Sequence, residues 1–380
     1  MKKELVSILS DLIALPSPYP PGTSVEICAY AAKRLKKAGY KVEIATHKKG
    51  VDNVVARLKG KGKGPVIAFN AHVDTVGMGE RANWKSDPYK ALVKGGHVYG
   101  LGAGNCKGSM AVQIWLAEEI ARRGGPAKGE LIFTFVADEE NLGPEGMEYL
   151  RNSGKVRPDA LILGAQTENN LIVAERGVMW AKITTKGRAA HAGNPGAGDN
   201  AILRMMRLVG ALTSYYDKAL ATRVSGAMKS TVNIGMFHGG HNTNVVPSAC
   251  TVEIDRRLLP KEKVKDAFKE LKKIIDSVGE PKSEYAVEFL TGTNGFTAPA
   301  NGQTVAAFEA AVKKQQNRKV KFLNATGVSD GRYYADDKIE IINFGPGSGA
   351  QGHAANESVP IAEMVQSAEI QLEVVQRLLG

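Results

Sequence analysis

Acidic and histidine side chains follow three apolar runs of the sequence, each at a place where a strand is predicted to end. His72 and Asp74 come shortly after the run PVIAFN, and Glu139 and Glu140 come shortly after LIFTFVA. His353 lies in a glycine-rich segment after IEIINF. Imidazoles and carboxylates gathered at one sheet edge are the ligands of hydrolytic zinc sites, in which metal ions polarise a carbonyl group and lower the pKa of a bound water.

Alternating helices and buried strands would position these side chains. Residues 3–15 and 24–38 and the segment AVQIWLAEEIARR have the periodicity of amphipathic helices, whereas KVEIAT, NVVARL, PVIAFN and LIFTFVA predict strands. Apolar strands between helices favour an α/β fold with a mostly parallel sheet and helices on both faces. Sheets of this kind bind ligands beyond the carboxyl ends of their strands, so we expect the histidines and acids to meet there.

The sequence pattern changes near Gly177. From there to about residue 290, the strands STVNIGMF and CTVEIDRRL alternate with two helical stretches, a composition typical of a small α+β domain whose sheet is covered on one face. After this segment the first pattern returns. We therefore predict one α/β domain, formed by residues 1–177 and 291–380, that is interrupted by an inserted α+β domain of residues 178–290.

Composition restricts the partners of the protein. The chain of 380 residues has three cysteines, which are widely spaced and favour a reducing cytoplasm over a disulfide framework. Its apolar runs are too short to span a membrane. The net charge of +11 lies on lysine-rich helical faces without interleaved aromatic residues, which indicates a solvated surface that would attract acidic small molecules. We therefore expect a cytoplasmic protein with no nucleic-acid or membrane partner.

Motifs along nearly the whole chain resemble those of the zinc-dependent deacylases and exopeptidases, a family that includes acetylornithine deacetylase, succinyl-diaminopimelate desuccinylase, aminoacylase and glutamate carboxypeptidase. In chain order they are SPYPPG, AHVDTV, the W-x-x-DPY stretch, GLGAGNCKG, ADEEN, GRAAHAGNPGAGDNAI, TNVVPSACTVEIDRR, GVSDGRYY and GHAANESV. Each motif alone is weak, but their order and separations are specific. The resemblance implies a zinc-exopeptidase fold with an inserted lid and dimerisation domain.

The resemblance also implies two metal ions bridged by an aspartate. His72 would bind the first ion together with a carboxylate at position 165, and Glu140 and His353 would bind the second. Residue 105 would be the bridge between the two ions.

Other site residues follow from the same resemblance. Asp74 would orient the ring of His72, and Glu139 would be the general base. In the inserted domain, His191 would help to stabilise the tetrahedral oxyanion, and Asn244 and Arg257 would bind a free carboxylate of the substrate.

Two of the implied ligand positions depart from this pattern. Asn105 is a neutral amide that cannot bridge two cations as a carboxylate does, and Ala165 has no donor atom. The first metal then keeps only His72, fewer than the three protein ligands that a catalytic zinc normally has. We therefore expect at most one ion per chain, zinc or else cobalt or manganese, at Glu140 and His353 with Asn105 as a weak third ligand.

Three explanations of these departures stay open. The chain is a relative that binds a ligand without hydrolysing it, or it uses one metal with Glu168 or Cys106 rearranged into the coordination shell, or the two residues are deliberate inactivating substitutions. Gln166 and Leu101, which also differ from the family pattern, weaken the third explanation.

The predicted function is that of a metal-dependent amide hydrolase with an impaired or reduced metal site, acting on a small N-acyl amino acid or peptide that has a free carboxylate. The alternative is a non-catalytic ligand-binding or regulatory relative. The apolar helix NAILRMMRLVGALTSYY exceeds what a small domain can bury, and the resemblance implies dimerisation through the inserted domain. We expect a two-fold homodimer joined through residues 178–290, with hinges that let the domains close on a ligand.

Overall fold

A computed structural model describes residues 1–299, 301–325 and 327–380. It has two compact units. The large unit comprises Met1–Val173, Ala298–Leu323 and Ser329–Gly380, and the small unit comprises Ala174–Thr297 with Asn324–Val328.

The elements of the described residues are numbered in chain order. The helices are α1 (Lys2–Ile13), α2 (Val25–Lys37), α3 (Lys107–Arg122), α4 (Met147–Asn152), α5 (Ala201–Ala221), α6 (Val264–Asp276), α7 (Gln303–Gln316) and α8 (Ile361–Leu379). The strands are β1 (Lys41–Lys48), β2 (Val51–Lys59), β3 (Gly62–His72), β4 (Leu92–Lys94), β5 (His97–Tyr99), β6 (Lys128–Val136), β7 (Ala160–Leu163), β8 (Leu171–Ile172), β9 (Ala174–Glu175), β10 (Gly177–Lys186), β11 (Val224–Ser225), β12 (Met228–Lys229), β13 (Thr231–Gly239), β14 (Ala249–Leu258), β15 (Tyr285–Thr293), β16 (Phe296–Thr297), β17 (Phe322–Leu323), β18 (Glu340–Asn343) and β19 (Ser358–Pro360).

The large unit is built on an eight-stranded sheet in the order β1-β2-β6-β3-β7-β18-β8-β17. Strands β6, β3, β7 and β18 are parallel to one another, whereas β1 and β2 are antiparallel at one edge and β8 is antiparallel to β18 near the other. The predicted fold class, α/β with a mostly parallel sheet, is therefore confirmed. The sheet places the carboxyl ends of β3, β6, β7 and β18 at one edge.

Side-chain alternation along β3 explains how the two faces of this sheet are covered. Ile67 and Phe69 point into the main apolar core, which also contains apolar residues of α1, α2, α3, α7 and α8. Asn70 points to the opposite face, where its amide donates a 3.0 Å hydrogen bond to Asp330. The short helix α4 and the helical turn at 330–334 cover that face.

The small unit has a four-stranded antiparallel sheet in the order β13-β14-β10-β15. Helices α5 and α6 both contact β10, and they pack on one face of the sheet. Alternate residues of β14 show this one-sided covering, because Val252 and Ile254 are buried while Glu253 and Asp255 are partly exposed. The inserted α+β architecture agrees with the sequence pattern, and the role of this unit as a lid stays a prediction.

No helix within residues 1–299, 301–325 and 327–380 combines the length and the apolar character that crossing a membrane requires.

Candidate metal centre

Loops at the carboxyl edge of the large sheet carry the predicted metal ligands. His72 is the last residue of β3, Glu139 and Glu140 follow the end of β6, and His353 lies in the loop after β18. Asn105 precedes the first turn of α3. The parallel strands therefore bring these five residues to one place, as expected for side chains that follow the ends of neighbouring parallel strands.

The side-chain amide of Asn105 lies at the centre of this group. Its Nδ2 donates a 2.6 Å hydrogen bond to Oε1 of Glu140 and lies 3.2 Å from Nε2 of His353. Its Oδ1 lies 3.3 Å from Nε2 of His72. Nε2 of His353 is also 3.0 Å from Oε1 of Glu140. One neutral amide thus contacts a residue from each half of the implied two-metal site.

Asp74 links His72 to the segment that carries Glu140. Its backbone oxygen lies 2.9 Å from Nδ1 of His72, its Oδ1 lies 3.6 Å from the same atom, and its Oδ2 accepts a 3.1 Å hydrogen bond from the amide of Glu140. Burial opposes a charge on His72, but Cys106, Asp74 and Glu139 hold its pKa well above the ordinary value. This contact leaves Nε2 of His72 facing Asn105.

Glu139 is a buried carboxylate beside the two other donors. One ligand atom from each of His72, Glu139 and Glu140 lies within 4.8 Å of the others, which is close enough to hold a metal ion. Burial raises the pKa of Glu139 to about 8, although the positive charges of His72 and Arg332 oppose that shift. A carboxylate in such a position can exchange a proton near neutral pH, as a general base requires.

Arg332 is a site residue that the sequence analysis did not identify. It belongs to the helical turn at 330–334, is 3% exposed, and its Nη1 donates a 3.2 Å hydrogen bond to Oε1 of Glu139. Its guanidinium also lies over the ring of Tyr333 at 4.4 Å from the centroid. The only sequence signal for Arg332 is its place in the motif GVSDGRYY.

Glu357 is a second residue that was missed. Its buried carboxylate accepts hydrogen bonds from three backbone N–H groups of one loop, those of Gly102 at 2.9 Å, Gly104 at 2.9 Å and Asn105 at 2.6 Å. At Gly104 a Cβ atom would lie 2.7 Å from Nε2 of Gln166 and 3.0 Å from Oε1 of Glu357, so a larger residue there would displace one of these two side chains. Glu357 therefore anchors the loop that carries Asn105.

Cys106 and Glu168, which the sequence suggested as alternative metal ligands, lie outside the group of candidate ligands. Cys106 is buried, and its Sγ lies 3.3 Å from the carbonyl oxygen of Gly164. Glu168 is exposed, and its backbone N–H donates to the carbonyl oxygen of Gly347. In the described part of the chain, the group that could hold a metal contains neither of them. This arrangement gives no support to a coordination shell rebuilt from Cys106 or Glu168.

The predicted residues of the small unit lie on two loops and one strand. His191 and Val245 form a β-bridge, and the amide of Ala192 donates a 3.0 Å hydrogen bond to the carbonyl oxygen of Asn244, so the loops of His191 and Asn244 lie side by side. Arg257, on β14, forms a two-point ion pair with Asp255, with N–O distances of 2.7 Å and 2.9 Å. Their roles toward a substrate stay predictions.

Comparisons with known proteins agree with this geometry. Residues 173–283 match the family model of the M20 peptidase dimerisation domain, and residues 53–167 match that of peptidase family M28. A succinyl-diaminopimelate desuccinylase of Polynucleobacter necessarius is 27% identical over 365 residues, which cover 92% of this chain and 93% of the relative. An N-formyl-4-amino-5-aminomethyl-2-methylpyrimidine deformylase of Halalkalibacterium halodurans is 26% identical over 396 residues, which cover 96% of this chain and 92% of the relative.

Solved structures share the fold. An M20 family metallo-carboxypeptidase of Sulfolobus solfataricus superposes with a TM-score of 0.81 at 18% identity, covering 99% of both chains. A dinuclear metal-binding peptidase of the M20 family from Bacillus subtilis superposes with a TM-score of 0.76 at 17% identity, covering 100% of this chain and 98% of the other. The chain is thus similar over nearly its whole length to the zinc-dependent deacylases and exopeptidases, and these relatives support a metal-dependent hydrolase.

Proposed function

We propose that this protein is an amide hydrolase of the deacylase or carboxypeptidase type with a reduced metal site. Its substrate would be a small N-acyl amino acid or peptide with a free carboxylate. The observation that carries the proposal is the neutral amide of Asn105 at the centre of the histidine and carboxylate cluster, 2.6 Å from Glu140 and 3.3 Å from His72.

The donor set does not fit two metal ions. A bridging carboxylate offers two oxygens that share one negative charge, one for each ion, whereas Asn105 offers one neutral amide oxygen. Ala165 offers no donor, so an ion on that side would keep only His72 from the implied set.

The donor set does fit one ion. Glu140 and His353 approach each other to 3.0 Å, and the amide of Asn105 could turn its oxygen toward the same point. Carboxylate, imidazole and amide oxygen suit zinc, cobalt or manganese. When bound there, such an ion would polarise the carbonyl group of the substrate.

The protein groups would move the proton and hold the substrate. Glu139, which Arg332 holds through Oε1, would take a proton from the attacking water and deliver it to the leaving nitrogen. His191 would donate to the oxyanion that develops on the carbonyl oxygen, and Asn244 and Arg257 would bind the free carboxylate. These roles are carried over from the family pattern to the matching residues.

Elemental analysis of the purified protein after exhaustive dialysis tests the reduced site. We expect at most one divalent ion per chain, released easily to a chelator and lost in Glu140→Gln. The matched control is Glu168→Gln, which removes an exposed acid outside the group that could hold a metal and should leave the ion in place. Two tightly held zinc ions per chain would contradict the proposal.

A second candidate is a non-catalytic ligand-binding relative. The contacts of the Asn105 side-chain amide with His72, Glu140 and His353 favour this candidate, because these polar groups are paired with one another without a metal ion. Under this alternative, Glu139→Gln leaves ligand affinity unchanged and no N-acyl amino acid is hydrolysed at any metal concentration. Hydrolysis that disappears in Glu139→Gln favours the enzyme.

We also propose a two-fold homodimer joined through the small unit. Strand β13 forms one edge of its sheet, and edge strands pair readily with a second copy. Phe237 on β13 and Leu203 and Met206 on α5 are exposed apolar residues. The dimerisation-domain model that matches residues 173–283 supports this assembly.

A further inference from the structure

A cleft between three helices of the large unit lies outside the candidate metal centre. Helices α1 and α2 both pack against α3, and side chains of all three helices line the cleft. Its volume is about 700 Å³, which is within the range of about 300–1,000 Å³ that is usual for small-molecule sites. The rise of about 1.5 Å per residue along α3 places Glu118, which lines the cleft, roughly 16 Å from the end of α3 that adjoins Asn105. The cleft is therefore a separate cavity.

Both carboxylates that line the cleft already have positively charged partners. The two oxygens of Glu118 accept hydrogen bonds from Nε and Nη2 of Arg34, at 2.8 Å and 2.9 Å. Glu4 accepts a 3.0 Å hydrogen bond from the indole of Trp115, and its carboxylate oxygens lie 2.7 Å from the N-terminal ammonium group and 3.4 Å from Nη1 of Arg122. These ion pairs use the charges of both acids, so neither acid compensates a further cation in the cleft.

Two lysines of α2 provide the uncompensated positive charge of the cleft. Lys33 and Lys37 line it, both are exposed, and neither has a hydrogen-bond or ion-pair partner among the residues that the structure describes. They are four residues apart, so their Cβ atoms lie about 5–6 Å from each other on one side of the helix. Like charges at this spacing repel each other and destabilise the helix. A bound anion would remove that repulsion, and one with two negative charges would neutralise both lysines.

The remaining lining of the cleft is partly apolar and is held in place. Ala38 at the end of α2 and Ala121 on α3 line the cleft together with Tyr30. The hydroxyl group of Tyr30 donates a 2.8 Å hydrogen bond to Oδ2 of Asp11 and accepts a 2.9 Å hydrogen bond from Nη1 of Arg34, which fixes the ring. A short hydrocarbon chain could contact these groups while its anionic groups reach the two lysines.

We propose that this cleft is a second ligand site, which binds a small organic dianion through Lys33 and Lys37. Two carboxylates or one phosphate group supply the negative charge of the ligand, and both form charge-assisted hydrogen bonds with ammonium groups. The short apolar part of the ligand contacts Ala38, Ala121 and Tyr30. None of the described residues that line the cleft belongs to the candidate metal centre, so the proposal does not depend on the proposed function.

Calorimetry on the full-length protein tests this site without any turnover. We would measure the dissociation constants of glutarate, propyl phosphate and pentanoate in a buffer that contains a chelator. Glutarate and pentanoate have the same carbon chain, but pentanoate has only one carboxylate. We expect at least one of the two dianions to bind about 10-fold more tightly than pentanoate, because the second charge pairs with the second lysine. The tighter of the two dianions identifies the anionic group, and added salt should weaken its binding because exposed charges are screened.

Substitutions locate the bound anion. The double change Lys33→Gln with Lys37→Gln should weaken binding of the dianion by at least about 10-fold, while circular dichroism remains that of the wild type. The matched control is Lys36→Gln with Lys41→Gln, which removes two exposed lysines outside the cleft and should keep the wild-type affinity. Ala121→Leu keeps every charge but fills part of the cleft, so it should also weaken binding.

The other outcomes overturn the proposal. Dianions that bind no more tightly than pentanoate, or that do not bind at all, show that the two lysines are ordinary surface charges. An equal loss of affinity in the control pair shows a general effect of net charge, and unchanged affinity in Ala121→Leu shows that the ligand lies outside the cleft. Binding that is absent in the chelator and returns with added zinc places the anion at the metal centre instead.

Discussion

Nδ2 of Asn105 donates a 2.6 Å hydrogen bond to Oε1 of Glu140. An aspartate at position 105 has no N–H to donate, so two carboxylates would face each other there and repel unless a cation lay between them. In this chain the amide performs the cross-linking that the resemblance assigns to metal ions. We therefore expect the loops around the site to be stable without a bridging ion.

Repairing both departures should restore the second metal. The double change Asn105→Asp with Ala165→Glu supplies a bridge and a terminal carboxylate, and we expect two ions per chain and amidase activity that depends on Glu139. Neither single change should restore two-metal binding or activity, because one of the two metal ions then has too few protein ligands. Asn105→Asp alone should also melt at a lower temperature in a chelator, since it places two carboxylates together.

Elemental analysis and a panel of N-acyl amino acids and dipeptides check this prediction. The double variant Asn105→Asp with Glu168→Asp is the matched control, because it keeps the repaired bridge but adds no ligand at position 165. Full loading of the repaired protein without hydrolysis would show that the defect lies in substrate binding.

Anchoring by Glu357 can be tested separately from the metal. Its carboxylate accepts from Gly102, Gly104 and Asn105, whereas the carboxylate of Glu363 accepts one backbone N–H, that of Gly347 at 2.8 Å. A hydrogen bond to a charged acceptor contributes about 1.5–3 kcal/mol to stability. Because glutamine keeps one acceptor oxygen but loses the charge, we expect Glu357→Gln to reduce the free energy of unfolding by about 3 kcal/mol.

Hydrogen exchange distinguishes local from general effects of that change. Amides 102–105 should exchange much faster in Glu357→Gln, and chelator competition should show weaker metal binding. The control variant, Glu363→Gln, should reduce the free energy of unfolding by less and should leave the backbone amides of residues 102–105 protected from exchange. Unchanged protection in Glu357→Gln would refute the anchoring role.

Much of the site was predictable because strand ends are visible in the sequence. His72 and Glu140 follow buried apolar runs, and parallel strand geometry brings such positions together. Arg332 was not predictable in this way, since it lies in a turn 193 residues from Glu139 and its local pattern does not indicate which carboxylate it contacts. Glu357 was missed for a similar reason, because its partners are backbone amides, which have no sequence signature.

The sequence predicts which side chains lie on each face of the small sheet, but not which of them contact one another. Alternation along β14 separates Arg256, which is fully buried against Tyr216, from Arg257, which pairs with Asp255 on the open face. The same alternation does not reveal that Trp180 from a neighbouring strand shares Asp255 with Arg257. That contact depends on strand order and register, which arise from the whole chain.

The ion pair between the buried Arg256 and the partly exposed Glu262 should make the small unit sensitive to acid. Nη2 of Arg256, whose side chain is fully buried, lies 2.9 Å from Oε1 of Glu262. Burial alone would raise the pKa of Glu262, but hydrogen bonds from Ser230 and the amide of Leu259, and the charge of Arg256, lower it overall. A lowered pKa in the folded state stabilises the protein above the unfolded pKa of about 4.3, and that stabilisation is lost as the pH falls through the folded value.

Glu262→Gln should therefore destabilise the small unit by about 3 kcal/mol at pH 7, because it leaves Arg256 buried without its counter-ion. The difference from the wild type should begin to shrink as the pH falls below the unfolded pKa of about 4.3, and it should vanish only below the lowered pKa of the folded protein, where the wild-type carboxyl is itself protonated. Urea unfolding at a series of pH values measures both effects. Glu288→Gln, which changes an exposed acid of β15, is the control. A difference that stays constant between pH 7 and pH 3.5 would contradict this assignment.

The proposed homodimer gives the last prediction. The wild type should be a dimer at micromolar concentration, because β13 forms a sheet edge and exposed apolar residues lie on β13 and α5. Phe237→Glu on β13 and Met206→Glu on α5 place a charge among these residues, and each should raise the dimer dissociation constant by at least about 100-fold, the effect of burying one unpaired charge. Val93→Glu, which charges an exposed apolar position of the large unit, should leave the dimer intact. Light scattering combined with size-exclusion chromatography measures all four proteins, and a monomeric wild type, or equal dissociation in Val93→Glu, would rule out assembly through the small unit.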